Sequence, residues 1–130
     1  MMGEWSTFQL GNVCTKIGSG ATPRGGSSVY LQNGSYSLIR SQNIYNDGFH
    51  RNGLAFIGDD HANDLNNVEV LPDDVLLNIT GDSVARCCQV DISVLPARVN
   101  QHVAIIRPDP KKLDPRFLRY FMVSDCFGPA

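Results

Sequence analysis

Polar side chains with paired donors and acceptors recur in this sequence where apolar runs give way to turns. Arg40-Ser41-Gln42-Asn43 follows one such run, Asn78-Ile79-Thr80-Gly81-Asp82-Ser83 ends another with Arg86 close behind, and Asn100-Gln101-His102 precedes a third. Arginine, asparagine and glutamine each present two hydrogen-bonding atoms in a plane. That is the pattern that matches the edge of a nucleic-acid base, and each good pair discriminates by about 1–3 kcal/mol. The same residue types also satisfy turn backbone at strand ends, and for Asn78 and Thr80 taken alone the two readings weigh equally.

Other chemistry is less well provided for. The stretch Gly18-Ser19-Gly20-Ala21-Thr22-Pro23-Arg24-Gly25-Gly26-Ser27-Ser28, flanked by Lys16, has the glycines to bring backbone N–H groups close to an anion. It lacks the G-K-[ST] ending of a P-loop and no strong helix follows it, so an exposed surface loop is the simpler reading. Asp59, Asp60, His61 and Asp64 are spaced closely enough to hold a hard cation. An acidic first turn on a short solvated helix accounts for the same residues. No G-x-S-x-G elbow and no cysteine paired with histidine in a catalytic motif is present, nor a glycine-rich loop with a following acid for S-adenosylmethionine, nor an Asn-Pro-Pro-aromatic tetrapeptide. The chain reads as non-catalytic.

These residues have to be positioned by a single domain, because 130 residues bury roughly two-thirds of their unfolded surface around one core. The composition, 42% hydrophobic and 18% charged with Gly 12 and Pro 7, is that of a turn-rich globular protein. A net charge of -2 excludes a uniformly basic surface drawn to nucleic acid or anionic membrane by bulk attraction. Eight of the eleven basic residues are arginine, which suits directed contacts better than bulk attraction. Without a secretory signal or an apolar span the sequence is expected to be cytoplasmic, with no membrane contact. The adjacent Cys87 and Cys88, with Cys14 and Cys126, are expected to be reduced and buried.

A strand and a helical turn are expected between Thr7 and Ile17, and a buried strand running into a turn over Tyr36–Ile44. A short strand follows at Leu54–Ile57. Val75-Leu76-Leu77 with Ile79 is a core strand, turned at Thr80–Ser83 and answered by a second strand over Val84–Ile92 in a hairpin-like pair. A third strand spans Val99–Arg107, and Asp114-Pro115 opens an amphipathic helix with Phe117, Leu118, Phe121 and Met122 on one face. The fold class expected is α+β: a mixed, mainly antiparallel twisted sheet with a few short helices and a C-terminal amphipathic helix.

The order of blocks along the chain resembles the target recognition domain of type I restriction-modification specificity subunits. The matching blocks are Leu10-Gly11, Gly20-Ala21-Thr22-Pro23, Leu38-Ile39-Arg40-Ser41-Gln42-Asn43-Ile44, Asp74-Val75-Leu76-Leu77-Asn78-Ile79-Thr80-Gly81, Ser83-Val84-Ala85-Arg86, and Asn100 to Pro108 leading into Pro115-Arg116-Phe117-Leu118. The resemblance implies a module that reads half of a bipartite site in double-stranded DNA and carries no catalytic site or cofactor of its own. Its partners would be methyltransferase subunits using S-adenosylmethionine and restriction subunits using ATP and Mg. Against that family the chain stops just past its terminal helix, at Phe127-Gly128-Pro129-Ala130, and is expected to be one half of such a subunit, without the spacer helices and second recognition domain.

On this reading Lys16, Thr22, Arg24 and Arg86 contact phosphate. Arg40, Gln42, Asn43, Gln101 and His102 lie near base edges, and Thr80 and Ser83 belong to the same DNA-facing set. The alternative is a small β-rich ligand- or metal-binding enzyme domain using the Gly18–Ser28 loop and the acidic cluster near His61.

Overall fold

The computed structural model describes residues 10–122. The chain opens with a helical turn, α1 (Leu10–Val13), leading directly into strand β1 (Cys14–Ser19). Then come β2 (Tyr36–Ile39), β3 (Ile44–Tyr45), β4 (Gly48–Phe49), β5 (Ala55–Ile57) and the short helix α2 (Asp59–Asp64). Strands β6 (Val75–Asn78), β7 (Cys87–Gln89), β8 (Ala97–Val99) and β9 (Val103–Pro108) precede helix α3 (Pro115–Met122). The expected α+β class is correct. The strands divide among three sheets: an antiparallel one ordered β1-β9-β6-β7, a mixed one ordered β5-β2-β8, and the β3–β4 ribbon.

The four-stranded sheet separates two cores, and the period-2 pleat explains why its strands read as unbroken apolar runs. Leu76, Cys88, Val103 and Ile105 face the larger core, shared with Leu38, Ile39, Ile57, Val99 and the residues under α2. Their neighbours Val75, Cys87, Ala104 and Ile106 face the other way and are covered by Leu118 and Met122 of α3. Each fully buried Val, Leu, Ile or Met side chain stabilises the fold by about 1.5–3 kcal/mol. Cys87 and Cys88 therefore point to opposite cores as free thiols, and burial pushes them up to about 11 and about 12. Cys14 is half-buried, and Cys126 lies outside the described residues.

Three sequence expectations are corrected. The run from Val99 to Arg107 is two strands in different sheets, because Asn100 turns the chain: its Oδ1 accepts from the His102 amide at 3.0 Å. The strand expected over Val84–Ile92 is confined to Cys87–Gln89, since Ala85 sits in the left-handed region at φ 75 and a 3-10 turn occupies Ile92–Val94. The exposed loop begins after β1, which already holds Gly18 and Ser19 in register with Ile105 and Ala104. In α3, Leu118 and Met122 are buried while Phe117 is 41% exposed; the side chain of Phe121 lies outside the described ones. Asp114 opens that helix as expected, its Oδ1 accepting from the Arg116 amide at 2.7 Å.

Candidate nucleic-acid interface

Strand directions bring the polar segments together. β2 and β8 run parallel and both leave the mixed sheet at the Ile39–Val99 pair. In the four-stranded sheet β6 exits opposite the start of β9 at the Asn78–Val103 pair, and β1 exits beside it at Ser19–Ala104. Four strand exits, and the entries of β5, β7 and β9, thus share one end of the domain. Backbone hydrogen bonds sew the segments to one another: Gly20 N donates to Asn100 O at 3.1 Å, Asn100 N to Ile39 O at 3.1 Å, and Ile79 N to His102 O at 3.0 Å. Gly20 has to be glycine, since a Cβ there would stand 1.7 Å from the Val99 carbonyl oxygen.

Asn78 is the hub. It is 1% exposed, and its Nδ2 donates both to Ser41 O at 3.0 Å, across the two sheets, and to Ser83 Oγ at 3.1 Å. Its backbone N–H donates to Arg86 O at 2.9 Å and its carbonyl accepts from Ala85 N at 2.8 Å. The turn after β6 is held open by Ala85 in its left-handed conformation, a strain of the kind that persists where surrounding contacts over-determine it. From the sequence alone Asn78 is either a reader of bases or a turn former. Its burial assigns it to the frame that joins the Arg40, Ser83 and Arg86 segments.

Of the predicted site residues, Arg40, Gln42, Thr80, Ser83, Arg86, Gln101 and His102 lie at this end, with Gln42, Thr80 and Gln101 exposed. Thr80 Oγ1 is hydrogen-bonded to His102 Nδ1, which couples the β6 turn to the β8–β9 turn. The Arg40 guanidinium lies 5.1 Å from the Tyr30 ring centroid, and its Nη2 donates to Gly53 O at 2.6 Å. Arg86 lies 4.1 Å from the ring centroid of Tyr45. Thr22 is exposed two residues beyond Gly20.

Three residues are placed otherwise. Asn43 is 0% exposed: its Oδ1 accepts from Arg40 N at 3.0 Å and its Nδ2 donates to His50 O at 2.8 Å, so its amide holds the turn and cannot reach a base edge. Arg24 pairs with Asp64 of α2 at 2.7 Å, an exposed contact of the kind that is weak and exchangeable. Lys16 lies down β1, level with Arg107 and away from the shared end. Tyr30 and Tyr45, which carry the two stacked arginines, had no signal in the sequence beyond being aromatic residues beside polar turns.

Among the strand-end segments the charged side chains at this end are Arg40 and Arg86, with Asp82 as an acid in the β6 turn, and Asp47 adds a second acid in the β3–β4 ribbon. Asp73 and Asp74 precede β6 and so lie at its other end. There Arg107 donates from Nε to Asp74 Oδ1 at 2.7 Å and from Nη2 to Oδ2 at 2.8 Å, a bidentate pair closing that end of the sheet.

For the ligand-binding alternative the geometry offers little. Among the described residues no three His, Cys, Asp or Glu side chains converge as a metal site, Asp64 being engaged by Arg24. In the glycine-rich loop the amides of Gly20 and Gly26 already donate to Asn100 O and Pro23 O. No described helix is long and apolar enough to cross a membrane.

The fold has a counterpart among solved structures. The chain shares its fold with part of an HsdS subunit. Against the crystal structure of the HsdS subunit from Thermoanaerobacter tengcongensis, 88% of the chain aligns at a TM-score of 0.63 and 20% identity. The chain spans 26% of that subunit's length. No family profile matches the sequence.

Proposed function

We propose that this chain is a target recognition domain: a non-catalytic, sequence-specific double-stranded DNA-binding module that gives half-site specificity to a type I restriction-modification complex. The observation that carries the reading is the convergence of seven predicted polar contacts at the one end where strand exits of two sheets meet, on a fold shared with an HsdS subunit. In this reading Gln42, Gln101, His102 and Arg40 face base edges, Thr80 and Ser83 line the same face, and Thr22 and Arg24 approach phosphate once Arg24 leaves Asp64. Methyl transfer and cleavage belong to partner methyltransferase and restriction subunits, which supply S-adenosylmethionine, ATP and Mg, in the cytoplasm.

Hydrogen-bond readers on a nearly neutral scaffold bind weakly alone, because a single module buries only about 600–1,000 Å² and has few cations to release counterions. Selection from a random-sequence duplex pool, with and without a methyltransferase subunit, tests the reading. An enriched half-site is the expected result. No enrichment in either setting overturns it.

A further inference from the structure

Arg86 differs from every other arginine of the chain. The others each donate to an oxygen of the protein; Arg98, for example, sits 5.1 Å over the Tyr36 ring but also donates to Ala62 O, Ala97 O and Asn66 Oδ1. The Arg86 guanidinium makes no hydrogen bond among the described residues, and its Nε, like those of Arg40 and Arg119, is buried without a partner. The enclosed Nε is costly to leave unmatched, while the Nη groups, which no protein oxygen engages and which are not enclosed, are open to acceptors from outside the protein.

Arg86 is nonetheless held in place. Its guanidinium lies on Tyr45 at 4.1 Å, and Tyr45 stacks on His50 with centroids 4.0 Å apart and planes 24° from parallel. His50 Nε2 lies 2.8 Å from Asp47 Oδ1, and the β3–β4 ribbon carrying this stack is pinned to β7 by Asn46 Oδ1, which accepts from Cys87 N at 3.0 Å. The Arg86 backbone is fixed as well, its N–H donating to Ser83 O at 3.1 Å and its carbonyl accepting from Asn78 N at 2.9 Å. A ring face attracts the cation without engaging any N–H. The result is a planar fork with a set orientation and free donors.

A phosphate accepts a cation from many directions, and a lysine serves it nearly as well. A guanine edge, with O6 and N7 in one plane, is matched by two donors of a fork held in a set orientation, which a lysine's flexible point charge reproduces only in part. We propose that Arg86 reads a guanine in the half-site, with Tyr45 as its positioning residue and the β3–β4 ribbon as part of the reading apparatus. The proposal rests on the DNA-reading role proposed above, and it replaces the phosphate role that the sequence alone assigned to Arg86.

The test uses the full chain, the duplex it selects from a random pool, and single-base-pair variants of that duplex, over a salt series. Arg86→Lys keeps the charge, so the salt slope stays the same while preference at one G·C pair falls by roughly 5- to 150-fold. Tyr45→Leu lowers preference at that same pair, and Tyr45→Phe, which keeps the ring, preserves it. Urea unfolding shows which variants are folded, and Arg86→Lys, on the half-exposed side of the stack, keeps the question decidable if Tyr45→Leu is not. Undiminished preference in Arg86→Lys, or uniform weakening across all duplexes, overturns the guanine assignment and leaves the DNA reading standing. A folded Tyr45→Leu that discriminates like the parent removes Tyr45 from its role. If the parent chain enriches no sequence, the DNA reading fails and this assignment fails with it.

Discussion

Replacing Asn43 by alanine would remove three hydrogen bonds from a site with no access to water. Asn43 Oδ1 accepts from Arg40 N at 3.0 Å, and Nδ2 donates to His50 O at 2.8 Å and, at a long 3.4 Å, to Asn52 O. The side chain is 0% exposed, so water cannot replace what is lost. Leaving the Arg40 amide and the His50 carbonyl unpaired costs about 1–3 kcal/mol each, and the long contact adds little, which puts Asn43→Ala near 3 kcal/mol. For 130 residues that corresponds to a fall in Tm of about 10 °C. Asn43→Asp gives a sharper test. An ionised carboxylate still accepts from Arg40 but faces the His50 carbonyl with no proton to donate, so the folded chain holds the carboxyl protonated to a higher pH than the unfolded chain does. The raised value means that this variant is most stable below the unfolded carboxyl range near pH 4 and loses stability as pH rises through its folded value. Urea unfolding of parent, alanine and aspartate variants at about pH 4 and pH 7 measures both effects. An alanine variant within about 1 kcal/mol of the parent, or an aspartate gap that does not widen toward neutral pH, would refute the role given to this amide.

Two further outcomes follow from the same geometry. Gly20→Ala sets a Cβ 1.7 Å from the Val99 carbonyl oxygen, where only backbone can yield, so it should cost at least about 1–3 kcal/mol; Gly18→Ala, with nothing within 4 Å, is the control, and equal stabilities by urea unfolding would contradict the close approach. Stability should fall above pH 9, because the unfolded thiols ionise there while Cys87 and Cys88 keep their protons to about 11 and about 12. These raised values give stability that is complete below the unfolded range and lost as pH rises through the folded one. A Cys87→Ala, Cys88→Ala double variant, less stable at neutral pH, should lose stability less steeply between about pH 8 and pH 10 in the same assay, and an equal slope would count against the thiols.

Where a strand is apolar on both faces, the sequence states it openly: β6 and β9 are legible because the sheet they share lies between two cores. The break between β8 and β9 is harder to see, since Val99 and Val103 flank it with apolar character and the turn is set by hydrogen bonds that no pattern of residues encodes, from the His102 amide to Asn100 Oδ1 and from the Val103 N–H to the Asn100 carbonyl. The ribbon β3–β4 was hidden because two-residue strands leave no periodic trace. For the site, residue type pointed to Arg40, Gln42, Thr80, Gln101 and His102, which reach one end together. Type could not separate Asn43 and Asn78 from the surface set: buried frame and exposed reader use the same amide, and only packing tells them apart. Nor could spacing reveal that Arg24 meets Asp64 across forty positions or that Arg86 rests on Tyr45.

The division of the molecule by its four-stranded sheet also divides its cooperativity. Among the described residues, seventeen buried side chains make up the inner core and six the outer one, and Leu118 and Met122 of α3 belong to the outer. An opening that lifts α3 would expose Val75, Cys87, Ala104 and Ile106 yet leave the β2–β8 pair and the Asn78 frame intact, a sub-global state of lower free energy than full unfolding. The amides of α3 would then exchange with solvent well before those of β2, β6 and β9. The end that carries the polar strand exits is thus anchored to the last part of the fold to let go.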